Sequence, residues 1–199
     1  MDTLNFKAIF LGQSVIKYEV PLDIFHSINT IYETNFHNLR PANKQLAGKI
    51  EKEHSLFYDG RDESKMKRHS LIPTNVKQWF MDTYHHYLNW NKIKEYRTNL
   101  NSIWVNEMKQ HEYNPIHVHQ GSLFTGLSSV MILKLPTTYG IEYSAAESPS
   151  NGTLQIMGSS SGQFANVDYQ PVLKERDFFI FPYDMRHTVY PFNSTDEVR

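Results

Sequence analysis

The sequence predicts an α+β fold with a mainly β core, helices first and strands later. Three observations point there. Between residues 22 and 88 apolar side chains recur at helical spacing. Beyond about residue 100 the chain breaks into short apolar, aromatic-rich runs. Turn chemistry separates those runs, at Asn114-Pro115, Pro136, Asn151-Gly152 and Pro182. Several short strands at such spacing suggest a sandwich or barrel rather than a βαβ sheet.

Taken in order, residues 6–20 alternate loosely and read as two short strands around Gly12. Pro21 then opens a helix, because its fixed φ suits a first turn and Leu22, Phe25, Ile28, Ile31 and Tyr32 follow at helical intervals. A second helix is expected over 43–58, with Leu46, Ala47, Ile50, Leu56 and Phe57 on its apolar side. The stretch YDGRDESKMKRHS reads as a solvated loop. A third helix starts near Pro73-Thr74 and carries Val76, Phe80, Tyr84, Tyr87 and Leu88 on one face. The β-like runs are 102–108, 127–135, 153–158, 177–182 and 187–192. There is no internal repeat.

Composition narrows the classes. A chain of 199 residues is long enough to bury a real core as one domain, 1–199, with 1–100 supporting a β unit at 101–199. Twenty basic residues against 21 acidic ones give a net charge of −1, which does not support nucleic acid as a partner. No stretch approaches about 18 consecutive apolar residues, so no membrane span is expected. The start, MDTLNFKAIF, lacks the pattern of a signal peptide. The absence of cysteine excludes disulfides, thiolate metal sites and thiol nucleophiles, and fits a cytoplasmic location. Oligomeric state is not legible.

The candidate chemistry lies in histidines. His117-Val118-His119 follows Asn-Pro, expected as a turn, and so sits at the mouth of a strand. On a strand i and i+2 share a face, so both imidazoles can reach one metal ion. Two partly exposed histidines with unrelated hydrogen bonds give the same pattern. His187 emerges from the buried-looking run DFFIFP. Alone it reads as a surface histidine, but with the first pair it can close a three-ligand face that leaves metal positions open. Arg199, 12 residues further on, has the planar fork to clamp a carboxylate. It reads equally as a charged chain end beside Asp196 and Glu197. Trp104 and Asn106 can line a pocket, although Trp104 also suits a core. His85-His86 has no visible partner.

The runs SIWVNEMKQHEYNPIHVHQGSLFTGLSSVMILKLP and RDFFIFPYDMRHTVYPFNSTDEVR resemble the iron(II)/2-oxoglutarate-dependent oxygenases. The resemblance is to the prolyl-4-hydroxylase-like branch found in many marine phages and bacteria, and it covers roughly residues 102–199. It implies a double-stranded β-helix, a jelly-roll relative, with the N-terminal helices packed on the barrel. It also implies His117, His119 and His187 as ligands of Fe(II), and Arg199 as the anchor of the 2-oxoglutarate C5 carboxylate. O2 and 2-oxoglutarate would then be consumed in hydroxylating a C–H bond, with peptidyl proline as the first substrate guess among peptides and small molecules. A phage-encoded enzyme would work in the host cytoplasm.

Two departures from that pattern bear on the site. Position 119 is His where this chemistry commonly has a carboxylate, so either three histidines bind the metal or an acid such as Asp184 supplies the third ligand. The family continues through a further strand beyond the position of Arg199, so the barrel is expected without its last strand and with an open sheet edge. Two other readings follow from the same residues. One is a three-histidine cupin-type dioxygenase that needs no 2-oxoglutarate, and it gains if Arg199 points away from the metal. The other is a non-enzymatic jelly-roll binding or virion protein.

Overall fold

The computed structural model describes residues 12–43, 47–59, 71–119, 125–140, 150–159, 162–163, 165, 167–193 and 195–199. Its strands are β1 (Ile16–Glu19), β2 (Leu39–Pro41), β3 (Lys52–Asp59), β4 (Trp104–Glu107), β5 (Asn114–His117), β6 (Leu127–Met131), β7 (Leu154–Met157), β8 (Asp168–Tyr169), β9 (Asp177–Pro182) and β10 (Arg186–Val189). Two helices, α1 (Leu22–Asn35) and α2 (Thr74–Trp90), precede most of the strands. Both begin directly after a proline, as the sequence predicts. The strands form three antiparallel sheets, in the orders β1-β9-β6, β5-β10-β7-β8 and β2-β3-β4.

Strand β9 organises the core. All of Asp177–Phe181 is buried, so both faces of this strand are covered and the run reads as continuously apolar. Phe178 and Ile180 face Val76, Phe80 and Tyr87 of α2 and Ile24, Phe25 and Ile28 of α1. Phe179 and Phe181 point the other way, onto Leu154 and Ile156 of β7. The alternation of a single strand therefore joins a helical layer to a second sheet. Burying each of these phenylalanines stabilises the fold by roughly 1.5–3 kcal/mol.

The expected helix over 43–58 is a correction. Residues 52–59 form β3, paired with β4 in the register Lys52↔Glu107 to Ser55↔Trp104 and with β2 on its other edge. Local spacing suggested a helix, but two neighbouring strands satisfy the backbone of this segment and decide its state. Asn114-Pro115 is likewise not a turn, since both residues lie within β5. Of the pair expected around Gly12, the second strand is β1 and the first lies outside the described residues, as does most of the solvated loop at 58–70.

Strands β4 and β6 end their sheets, and both line one cavity of about 1240 Å³. Met108, next after β4, exchanges a pair of backbone hydrogen bonds with Arg199, each of 2.9 Å. No helix among the described residues is long and apolar enough to cross a membrane.

Candidate metal centre

His117 closes β5 and lies directly opposite His187 of β10 in the ladder, with ring centroids 4.2 Å apart. His119 stands two residues beyond the end of β5, so strand alternation does not place it. Its backbone N–H donates to the Tyr183 carbonyl at 3.0 Å, which ties it to the turn between β9 and β10. Its ring stacks on His187 at 16° between planes, with the two Nε2 atoms 3.2 Å apart. Two nitrogens at that distance need a proton or a cation between them. One donor nitrogen from each of the three histidines falls within 4.8 Å of the others, and no other cluster of three His, Cys, Asp or Glu among the described residues does this.

The surroundings suit these rings to act as neutral ligands. Nδ1 of His117 bonds the Pro115 carbonyl at 2.7 Å, and Nδ1 of His187 bonds the Met185 carbonyl at 3.0 Å. A carbonyl can only accept, so Nδ1 carries a proton in both rings, and in the neutral ring the lone pair is then on Nε2. Burial pushes His119 down to about 4, helped by the neighbouring His117. Burial also takes His187 to about 4; the Met185 carbonyl opposes the shift, and His117 and His119 add to it. Both imidazoles are therefore uncharged at neutral pH, the state a divalent cation requires. Trp104 packs beside His119 and Phe181 meets His187 edge-on.

Arg199 shares the cavity with the three histidines, as do Trp104, Asn106 and Asn114. Its Nε and Nη2 are buried without a hydrogen-bond partner. Burial lowers its pKa, opposed by the adjacent Tyr139 phenol. The acid nearest to it in sequence is engaged elsewhere: the Glu197 carboxylate takes the backbone N–H and the hydroxyl of Thr137. Guanidinium nitrogens buried without a partner are costly. Nε and one terminal nitrogen form the edge that binds a carboxylate with two parallel bonds. The donor set thus fits a divalent metal, and the guanidinium fits an anionic co-substrate in the same space.

Asp184 stays outside this arrangement. It is exposed and accepts a 3.2 Å bond from Gln13 Nε2. The geometry favours His119 over Asp184 beside the other two histidines. His85 and His86 do have partners, Thr98 Oγ1 at 2.7 Å and the Tyr18 hydroxyl at 2.8 Å.

With this geometry in view, residues 102–199 match the family model described as "Putative 2OG-Fe(II) oxygenase". Through these residues the chain is similar to the 2OG-Fe(II) oxygenase family. Its fold is similar to the crystal structure of a Pseudomonas putida prolyl-4-hydroxylase, with a TM-score of 0.57 over 94% of this chain and 88% of that one. Identity between the two is 12%, so the likeness is one of fold. No curated protein matches the sequence. The family implies Fe(II), 2-oxoglutarate and O2, and the three-histidine group fits iron.

Proposed function

We propose that this protein is an Fe(II)/2-oxoglutarate-dependent dioxygenase on a double-stranded β-helix, hydroxylating a C–H bond of a peptide or small molecule. His117, His119 and His187 bind the metal through their Nε2 atoms, and Arg199 holds the far carboxylate of 2-oxoglutarate. The observation that carries this reading is the pairing, in one cavity, of three converging imidazoles with a guanidinium whose Nε and Nη2 are buried without a partner among the described residues. When bound, iron and 2-oxoglutarate supply the oxidising chemistry, with succinate and CO2 as by-products. The chain's own groups position the metal, neutralise the co-substrate and keep bulk water away. Three neutral ligands leave the metal with its full charge, which favours tight binding of a dianion.

The presence of Arg199 in the same cavity favours this reading over a cupin-type enzyme that needs no 2-oxoglutarate. Peptidyl proline is the first substrate to test, because the similar fold belongs to a prolyl-4-hydroxylase. The protein is loaded anaerobically with Fe(II) and 2-oxoglutarate, exposed to O2 with proline-containing peptides, and assayed for succinate and for peptides that gain one oxygen atom. The reading expects slow succinate release alone and faster release with a true substrate. A protein that binds Fe(II) but never consumes 2-oxoglutarate would return the cupin reading, and one that binds no metal would return the non-enzymatic one.

A further inference from the structure

Strand β5 carries one residue more than its partner. His117 pairs with His187 and Asn114 with Val189, so three steps along β5 face two along β10. This is a β-bulge, and bulges re-aim side chains next to functional sites. Without it Val189 would face Pro115, and Asn114, an odd number of residues from His117, would point to the opposite side of the sheet. With it, Asn114 takes the position two steps from His117 and lines the same cavity. Pro115, which has no N–H to give to a ladder, sits where the ladder is broken. The Thr188 hydroxyl bonds the Asn114 carbonyl at 2.7 Å and holds the bulge independently of the asparagine side chain.

Among the described residues the oxygen of the carboxamide so delivered, the buried Oδ1 of Asn114, has no hydrogen-bond partner. Its position relative to Arg199 follows from packing: Val189, opposite Asn114, packs on the cluster of Ile50, Met108 and Phe192 together with Tyr139. Met108 pairs with the Arg199 backbone, and Tyr139 lies beside its guanidinium. Asn114 therefore stands on the Arg199 side of His117. Asn114, the three histidines and Arg199 all line the one cavity.

We propose that Asn114 is a co-substrate-binding residue, whose amide N–H donates to an oxygen of the 2-oxo acid between the metal and Arg199. This rests on the function proposed above. A carboxamide offers a donor at one end and an acceptor at the other, so a rotation about its terminal bond presents the N–H to an anion.

The test uses Mn(II)-loaded protein titrated with 2-oxoglutarate by calorimetry, with Mn(II) affinity measured separately. Asn114→Ala should weaken 2-oxoglutarate by about 10- to 100-fold, the range for a bond to a charged group. Mn(II) affinity should hold within about twofold, since no ligand is removed. Asn114→Asp keeps the shape but turns a negative charge to a dianion, so it should bind 2-oxoglutarate more weakly than Asn114→Ala. Wild-type affinity in the alanine variant, aspartate no worse than alanine, or a parallel loss of Mn(II) would each overturn the proposal. Wild-type protein that binds Mn(II) but not 2-oxoglutarate would instead sink the functional reading, and the proposal with it.

Discussion

Two of the corners in which the described residues bury titratable side chains differ, and one of them resembles a site. At the first, His117, His119 and His187 aim donor nitrogens at a common point in a cavity. At the second, Glu53 on β3 and Glu112 after β4 are 3% and 5% exposed. Glu112 spends both oxygens on backbone, accepting the Glu51 N–H at 2.9 Å and the Lys109 N–H at 2.7 Å. Glu53 leaves Oε1 unpartnered, and burial, then the charge of Glu112, pushes it up to about 7. Burial shifts ionisation in both corners. Convergence on shared space occurs only in the first, so a perturbed group by itself does not mark a ligand site.

The largest expected effect tests that contrast directly. His187→Ala should lower Fe(II) or Mn(II) affinity by more than about 100-fold, because the proposed site then loses a ligand rather than a supporting group. Glu53→Gln should leave it unchanged. Calorimetric titration of both variants breaks the comparison if the glutamine variant also loses metal.

Next in size is Arg199→Ala, which should weaken 2-oxoglutarate binding by about 30-fold to several thousand-fold. That range follows from roughly 2–5 kcal/mol for a carboxylate left buried and unpaired. Metal affinity should stay near the wild-type value, and Arg199→Lys should recover part of the loss, a point charge replacing the fork. Unchanged 2-oxoglutarate affinity in the metal-loaded alanine variant would remove Arg199 from the site.

The smallest effect is in pH. His119 and His187 titrate near 4 in the folded protein against an ordinary 6.5. Between those values the unfolded chain binds protons that the native rings refuse. Their contribution is complete above about pH 6.5 and is lost as pH falls toward 4. Glu53 runs the other way: raised from 4.5 to about 7, it holds a proton that the unfolded carboxyl has released. Its contribution is complete below about pH 4.5 and is lost as pH rises to 7. In thermal melts of the metal-free protein, Glu53→Gln should raise Tm by about 2–4 °C above pH 7. It should do little near pH 4.5, while the acid-side loss persists. A glutamine variant that gained equally at both pH values would place the effect in packing instead of ionisation.

Much of the architecture was legible because it is written in local period. The apolar spacing of α1 and α2, their leading prolines and the run DFFIFP each point to one state whatever surrounds them. The segment at 52–59 was not legible, since its strand exists through pairing with residues some fifty positions away, as in Lys52↔Glu107. The site divides in the same way. The H-x-H pair, His187 and Arg199 stand out by residue type and spacing. Asn114 does not, because one extra residue in a ladder leaves no mark in a single sequence.

What the sequence alone determined is therefore the chemistry on offer: ten imidazoles with an H-x-H pair among them, the guanidinium of Arg199, no thiol, and short β segments to carry them. Only the tertiary structure decided which of these groups meet. His119 reaches His187 through a backbone bond to Tyr183, beyond the end of its own strand. Asn114 turns inward through a bulge, and Asp184 stays in solvent on Gln13. Alternation along a strand is a local rule that sequence can state. Register between strands is a long-range choice, made by burying Phe179 and Phe181 against β7 and satisfying the backbone groups on either side.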